Sequence, residues 1–267
     1  MIELVVAGAA GRMGGRVIAL ARDAADLRVA GALERAGHAA LGQDAGEVAG
    51  IGRLDVAITA EPGSLLTRDR VLVEFTTPLA TLEHLRVAAA QGAKAVVGAT
   101  GLSAGQIDEL TRLARGTAIL FSPNMSVGVN LAFRVLALMA RALGDDYDVE
   151  ITELHHRMKK DAPSGTAQRM AEVIAEALGR DLGQVGVYGR HGLVGERGPK
   201  EIGVHALRGG DVVGEHTVVF STLGERLELT HRAHSRDTFA HGALRAVRFV
   251  AGTAPGLYSM HDVLSTR

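Results

Sequence analysis

A short segment of the sequence concentrates histidine and basic side chains. Residues 155–160 read His-His-Arg-Met-Lys-Lys. Pro163 and Ser164 follow, and serine is a favoured residue immediately before a helix. The backbone N–H groups of Gly165 and Thr166 would then lie at the positive end of that helix. Cationic side chains beside such a helix start predict a site for a carboxylate, and we interpret the segment as a dicarboxylate site.

Two other interpretations of this segment stay open. A solvated, positively charged loop followed by an ordinary helix cap would have the same composition. A metal site is the second, because His231 and His234 form a His-x-x-His pair that could join His155 and His156. Successive strand residues point to opposite faces of a sheet, which disfavours adjacent histidines as ligands of one ion. We therefore predict no metal.

A glycine-rich loop, Gly8–Gly14, lies between an apolar run and a stretch with helical spacing. Small residues at a helix start leave N–H groups open to a phosphate. The G-x-x-G-x-x-G spacing is not the commoner G-x-G-x-x-G, so a tight turn without a ligand is the alternative. About 20 residues further on, Glu34 could accept the ribose hydroxyls of NAD, and Arg35 could pair with the 2′-phosphate of NADP. We predict that either dinucleotide is accepted.

The elements around these residues indicate an α/β fold. Apolar runs that alternate with helical patterns predict a doubly wound parallel sheet over residues 1 to about 125. No element is assigned firmly over 35–70. The remaining expected elements follow in chain order: helix 131–143, strand 149–154, helix 164–178 ended by Gly179, strands 203–207, 212–221 and 226–234, and helix 238–251. With no helix between them, the three late strands should pair as an antiparallel meander.

Composition excludes several classes of protein. The chain has 267 residues and a net charge of −1, which gives no electrostatic case for binding nucleic acid or an anionic membrane. It contains no cysteine, which excludes disulfides and thiolate chemistry and fits a reducing compartment. We see no signal peptide and no apolar run approaching the ~18 residues of a membrane span. A cytoplasmic protein without a membrane partner is predicted.

Residues 150–167, read as E-I-T-E-L-H-H-R-M-K-K-D-A-P-S-G-T-A, resemble the signature of the 4-hydroxy-tetrahydrodipicolinate (dihydrodipicolinate) reductases of lysine and diaminopimelate synthesis. The resemblance extends over nearly the whole chain, at 8–14, 98–101, 121–130, 214–217 and 235–242. Two positions depart from the pattern. Glu74 stands where Asp is more usual, and Ser122-Pro123 could alter the loop on the nicotinamide side of the cofactor.

The resemblance implies a role for each matching residue. His155 would be the catalytic proton donor or acceptor and Lys159 the proton donor, while His156, Gly165 and Thr166 would bind a dicarboxylate substrate. The cofactor would be NADH and/or NADPH. Its expected contacts are Gly8, Ala9, Ala10, Gly11, Arg12, Met13, Glu34, Arg35, Gly98, Ala99, Thr100, Ser122, Pro123, Asn124 and Met125.

The family fold implies a Rossmann-type domain built from residues 1–126 and 236–267. Residues 127–235 would form a second α+β domain with a mixed, largely antiparallel sheet, which binds substrate and assembles a homotetramer. The implied reaction is the NAD(P)H-dependent reduction of (2S,4S)-4-hydroxy-2,3,4,5-tetrahydrodipicolinate to tetrahydrodipicolinate, with loss of water.

Two other functions stay open at this point. One is another two-domain NAD(P)-dependent dehydrogenase, although such enzymes would lack the H-H-x-x-K…P-S-G-T pattern. The other is a non-catalytic dinucleotide-binding redox sensor, which would not need a general acid such as Lys159. Turnover of the cofactor, as opposed to binding alone, would separate the sensor from the enzymes.

Overall fold

The computed structural model describes residues 1–265, and the chain divides into two compact units. The N-terminal unit comprises Met1–Val127 and the chain from Arg236 onward. The central unit comprises Gly128–Ser235.

The strands are β1 (Ile2–Ala7), β2 (Leu27–Leu33), β3 (Ile58–Thr59), β4 (Arg70–Glu74), β5 (Lys94–Val97), β6 (Ala118–Phe121), β7 (Asp148–His155), β8 (Gly186–Val187), β9 (Ile202–Arg208), β10 (Gly214–Thr222), β11 (Glu225–Ala233) and β12 (Gly256–Tyr258). The α-helices are α1 (Arg12–Arg22), α2 (Ala45–Val48), α3 (Pro78–Gln91), α4 (Ala104–Leu113), α5 (Val127–Leu143), α6 (Gly165–Leu178), α7 (Leu182–Val185), α8 (Asp237–Ala251) and α9 (Met260–Ser265). Short 3₁₀ turns cover Pro62–Ser64 and Gly144–Asp146.

The N-terminal unit is a doubly wound parallel sheet, as the sequence predicts. Its strand order is β12-β6-β5-β4-β1-β2-β3, and every pairing is parallel. One face buries a core that includes side chains of α1 and α8, and the other face buries one that includes α3 and α4. The strands are buried on both sides, which explains their continuous apolar sequence. The chain runs outward from β1 to β3 and then returns past β1 to β4, so the point where the strand order switches lies at the carboxyl end of β1, beside the glycine loop.

Within the segment 35–70, left unassigned from the sequence, the Asp44 side chain ties together residues 44–56. The Asp44 carboxylate caps α2 by accepting hydrogen bonds from the backbone N–H groups of Gly46 and Glu47, at 2.9 and 3.1 Å. It also accepts from Leu54 and Val56, at 2.9 and 3.0 Å. Burial opposes ionisation of this carboxyl, but the four donors outweigh it and lower its pKa to about 2.

The central unit contains a mixed five-stranded sheet of order β11-β10-β7-β9-β8. The predicted antiparallel meander is correct for β10 and β11 but wrong for β9, which pairs parallel with β7. Strand β7 lies between β9 and β10, and the 209–213 connection passes over its carboxyl end. The N–H groups of His156 and Arg157 donate to the carbonyls of Val212 and Gly210 there, at 2.8 and 3.1 Å. A five-residue connection suits both a hairpin and this crossing, so its length did not reveal the difference.

Helix α6 has the predicted limits, with Ser164 as its N-cap and Gly179 ending it at a φ of +65°. Helix α5 and its extension, Val127–Asp146, is long and apolar enough to span a membrane, with a mean hydropathy of 1.5. The sequence predicted a helix over 131–143 but no membrane span, because Arg134 and Arg141 interrupt the apolar run. One such helix is weak evidence of a membrane span, because core helices of soluble proteins pass the same test.

Candidate active site

The first glycine loop connects β1 to α1 with almost no space for side chains. Gly8 adopts a φ of +71°, and its carbonyl accepts a hydrogen bond from the Gly11 N–H at 2.9 Å. A Cβ on Gly14 would lie 2.8 Å from the Gly8 carbonyl carbon and closer still to the oxygen. No side chain caps α1, whose N-cap is Gly11. This uncapped helix start, reached through glycines, fits the phosphates of a dinucleotide.

A second glycine loop follows β5, at the same edge of the sheet. The Gly98 N–H donates to the Glu74 carbonyl at 2.8 Å, and a Cβ on Gly98 would lie 2.7 Å from Cδ1 of Phe75. The junction after β6 is the third segment, where the Ser122 hydroxyl donates to the Asn124 carbonyl at 2.7 Å. All three segments follow the carboxyl ends of parallel strands, where α/β folds place their ligands.

Glu34 and Arg35 directly follow β2. The Glu34 N–H donates to the Thr59 carbonyl at 3.0 Å, while the Arg35 side chain is exposed. Glu74, the departure noted in the sequence, is fully buried at the end of β4. Its carboxylate accepts from the Thr76 N–H at 2.8 Å and contacts His84 Nδ1 at 2.7 Å. Glu74 therefore has a structural role, because it connects the chain after β4 to His84 of α3.

The histidine-rich segment begins at the end of β7 in the central unit. Glu153 and His155 lie two residues apart on the same face of this strand, and His155 Nδ1 is 2.6 Å from Glu153 Oε2. Glu153 is only 1% exposed. Arg208, the last residue of β9, donates to both carboxylate oxygens at 2.8 and 3.0 Å. Sequence reasoning missed Glu153 and Arg208, although the two-residue period along β7 pointed to Glu153.

Lys159 lies in the loop that follows β7, and this loop ends at the start of α6. Lys159 Nζ donates to both carboxylate oxygens of Asp161, at 2.9 and 2.8 Å. This contact lowers the pKa of Asp161. The Ser164 hydroxyl accepts from the Ala167 N–H at 3.2 Å and so caps α6. A Cβ on Gly165 would meet nothing within 4 Å, which leaves space for a ligand beside the helix start.

His216 on β10 is a further residue that the sequence did not single out. Its ring packs edge-to-face on that of His155, with 5.2 Å between centroids, and its Nε2 lies 3.0 Å from the Ser164 hydroxyl. Burial lowers the pKa of His216 to about 3, and the ring is therefore neutral. Burial also lowers the pKa of His155, although the Glu153 carboxylate opposes this shift.

Within residues 1–265, no three histidine, aspartate or glutamate side chains converge as metal ligands would. His231 lies beside His216, with 6.5 Å between ring centroids, so His216 separates it from His155. The His-x-x-His pair and the His155–His156 pair are therefore not brought together as the metal interpretation requires.

A parallel sheet with glycine loops at its strand ends, followed in the chain by a mixed-sheet unit that carries His155 and Lys159, is the arrangement of a two-domain oxidoreductase. Sequence models of dihydrodipicolinate reductase match both parts, the N-terminus over residues 2–125 and the C-terminus over 128–264. The chain belongs to the dihydrodipicolinate reductase family. It is an enzyme, and its family and fold imply a nicotinamide dinucleotide cofactor.

Named relatives agree with this assignment. The chain is 50% identical to the 4-hydroxy-tetrahydrodipicolinate reductase of Syntrophus aciditrophicus and 52% identical to that of Geobacter sulfurreducens, each over 100% of both chains. Its structure resembles that of dipicolinate-bound dihydrodipicolinate reductase from Paenisporosarcina sp. TG-14, with a TM-score of 0.77, 25% identity and 97% of both chains covered. An amine dehydrogenase from Mycobacterium smegmatis, 16% identical with a TM-score of 0.61, shares the fold. The family match favours the reductase over the two alternatives.

Proposed function

We propose that the chain reduces (2S,4S)-4-hydroxy-2,3,4,5-tetrahydrodipicolinate to tetrahydrodipicolinate, with NADH or NADPH as the reductant and with loss of water. The reaction consumes one proton and releases one water molecule. The observation that carries this proposal is the arrangement after β7, where a histidine and a lysine precede an open helix start. The solved relative that holds dipicolinate, a planar dicarboxylate, agrees with it.

The residues that would hold the cofactor follow four strands of the parallel sheet, β1, β2, β5 and β6. The N–H groups of Gly8–Met13 would hold the pyrophosphate at the start of α1. Glu34 would accept the ribose hydroxyls and Arg35 would pair with a 2′-phosphate, so both cofactors are accommodated. Gly98–Thr100 and Ser122–Met125 would contact the rest of the dinucleotide. Loss of water from the 4-hydroxyl would leave a conjugated imine, and the reduced nicotinamide, when bound, supplies a hydride to its electrophilic C4.

The substrate residues hold carboxylate and move protons. The Gly165 N–H and Thr166, at the positive end of α6, would bind one carboxylate with help from His156. The substrate carboxylates would also compete with Asp161 for Lys159, which would draw its Nζ away from Asp161 and towards the substrate. Negative charge develops on the nitrogen side of the imine, and Lys159 would protonate it while His155 completes the proton relay. Such general acid–base help is worth about 10²–10⁴-fold in rate.

We also propose that the enzyme is a cytoplasmic homotetramer assembled through its central unit. Leu207 and Leu227, on the sheet of that unit, are 49% and 48% exposed and would be covered in an assembly. Light scattering of the purified protein measures the assembly directly. A monomeric mass at working concentrations would refute the tetramer.

A coupled assay tests the reaction. The purified protein is mixed with pyruvate, aspartate semialdehyde and the preceding synthase, and NADH or NADPH oxidation is followed by absorbance. We expect oxidation that requires the synthase and that falls about 10²–10⁴-fold in kcat for Lys159→Ala, with cofactor affinity unchanged. Lys160→Ala removes an exposed neighbouring charge and serves as the matched control.

One result would contradict the reaction, and two others would contradict the role of Lys159. Cofactor binding without oxidation in the wild type would favour a sensor or a different substrate. Equal losses in the two lysine variants, or weakened NADPH binding in Lys159→Ala, would remove Lys159 from its role as proton donor.

A further inference from the structure

Glu153 is a buried carboxylate whose hydrogen-bonding capacity is filled. Its Oε2 contacts His155 Nδ1 at 2.6 Å and accepts from Arg208 at 2.8 Å. Its Oε1 accepts from the other Arg208 nitrogen and from the Ser164 N–H, both at 3.0 Å. A buried carboxylate with an arginine partner on both oxygens is stabilised in its ionised form. Burial acts against ionisation, but the hydrogen bonds from Arg208 and His155 outweigh it and lower the pKa of Glu153.

The ionised carboxylate determines which nitrogen of His155 carries a proton. A carboxylate can only accept hydrogen bonds, so the nitrogen that faces it must be the donor. Nδ1 of His155 therefore holds a proton in both the neutral and the charged ring. In the neutral ring Nε2 has the free lone pair, and no residue among 1–265 hydrogen bonds to it. Nε2 is then the nitrogen that can take up a proton.

The other side of the His155 ring is fixed by packing. A Cβ on Gly214 would lie 2.9 Å from His155 Nε2, so a larger residue at position 214 would displace the ring. The neutral His216 ring packs edge-to-face against it, with 5.2 Å between centroids. The ring therefore has one position, set by the carboxylate on one side and by the backbone of β10 on the other.

We propose, on the basis of the proposed function, that Glu153, held by Arg208, is a positioning residue. It fixes the proton of His155 on Nδ1 and leaves Nε2 to exchange a proton with the substrate. The same carboxylate bonds the Ser164 N–H, immediately before the residues proposed to hold the substrate carboxylate. One side chain thereby aligns the proton-transfer ring with the start of α6.

The expected consequence of losing this charge follows from the groups that face His155. They are Glu153 on its own strand, Arg208 on β9, His216 on β10 and Lys159 in the following loop. Glu153 raises the pKa of His155, whereas Lys159 and Arg208 lower it. In Glu153→Gln the cations act unopposed, so the pKa of His155 falls. Because only the neutral ring has a free lone pair on Nε2, the acid limb of the kcat/KM profile then moves to lower pH.

Glu153→Gln is the test, because the amide oxygen can still accept from Ser164 while the amide N–H₂ can donate to Nδ1 and reverse the tautomer. We expect kcat to fall about 10²–10⁴-fold, KM for the substrate to change less than about threefold, and the acid limb to shift downward. Glu150→Gln is the matched control. Glu150 lies on the opposite face of β7 and is bound by two arginines and by His205. Its loss removes a comparable ion-pair cluster away from His155, so kcat should stay within about threefold.

Two results would overturn the inference. An unchanged kcat in Glu153→Gln is one. The other is a loss of kcat without movement of the acid limb, equal to the loss in Glu150→Gln, which would indicate general damage to the sheet.

A second measurement keeps the inference falsifiable if Glu153→Gln does not fold. Nitrogen-15 NMR of histidine-labelled wild-type enzyme without substrate reads the tautomer directly, and we expect the Nδ1–H form for His155. An Nε2–H form overturns the inference. Absence of turnover by the wild type in the coupled assay would refute the proposed function instead, since the tautomer is measured without any reaction.

Discussion

Replacement of Gly14 by alanine tests whether the close approach of the glycine loop to α1 builds the dinucleotide site. A Cβ at this position would lie 2.8 Å from the Gly8 carbonyl carbon and 3.0 Å from Ala9 Cα. The loop would have to move by roughly 1 Å to restore ordinary van der Waals contact. Gly15, the next residue in the same helix, is the matched control, because its Cβ would meet nothing closer than 3.9 Å.

The two substitutions should therefore have opposite effects on stability. Alanine replaces glycine in a helix with a gain of up to about 1 kcal/mol, which Gly15→Ala should show in full. At Gly14 the same gain is opposed by an overpacking cost of about 1–3 kcal/mol. We expect Gly14→Ala to be less stable than Gly15→Ala by about 1–3 kcal/mol. Displacement of the Gly8–Met13 N–H groups should also weaken NADH binding by about tenfold or more, equivalent to about 1.4 kcal/mol.

Urea unfolding and titration of NADH, followed by nicotinamide fluorescence, measure both quantities on the same samples. Gly15→Ala should bind NADH as the wild type does. The reasoning is refuted if Gly14→Ala matches Gly15→Ala in both stability and affinity. It is equally refuted if Gly15→Ala loses binding to the same extent, because the effect would then come from the helix and not from the contact with Gly8.

Two further predictions concern other buried contacts. In Gly242→Ala a Cβ would lie 2.8 Å from the Met125 carbonyl carbon, so thermal unfolding should show a loss of stability of about 1–3 kcal/mol. Gly105→Ala, with open space around its Cβ, is the control and should show no loss of stability. Equal effects of the two substitutions would contradict the prediction. The pKa of His216 is lowered from 6.5 to about 3, so the unfolded chain takes up this proton first and the stabilisation present above pH 6.5 is lost as pH falls towards 3. Between pH 3 and 6.5 the free energy of unfolding, measured with urea, should rise with pH more steeply in the wild type than in His216→Gln, by up to about 1.4 kcal/mol per pH unit. Equal slopes would show that folding does not lower the pKa of His216.

The sequence predicted most of the N-terminal unit because its signals are local. Apolar runs and glycines mark each strand of a parallel sheet and the turn after it. Because the carboxyl ends of parallel strands lie at one edge, the residues expected to bind the cofactor are brought to that edge. The segment 35–70 carries no such pattern, and part of it is held by Asp44, which accepts from N–H groups up to twelve residues away. A contact of that kind leaves no periodic trace in the sequence. The short strand β12 and helix α9 were missed as well, since each is too brief to show a period.

The error in the order of the central strands bears directly on the chemistry. In the predicted meander β9 would pair with β10, and the end of β9 would lie beside the start of β10. In the structure β9 pairs with β7 in parallel, and the register places Arg208 opposite His155 at the carboxyl ends of both strands. Arg208 can therefore hold Glu153, 55 residues earlier in the chain. The histidine and lysine could be found from their sequence pattern, but the ion pair proposed to orient the histidine depends on a strand pairing that local sequence signals do not specify.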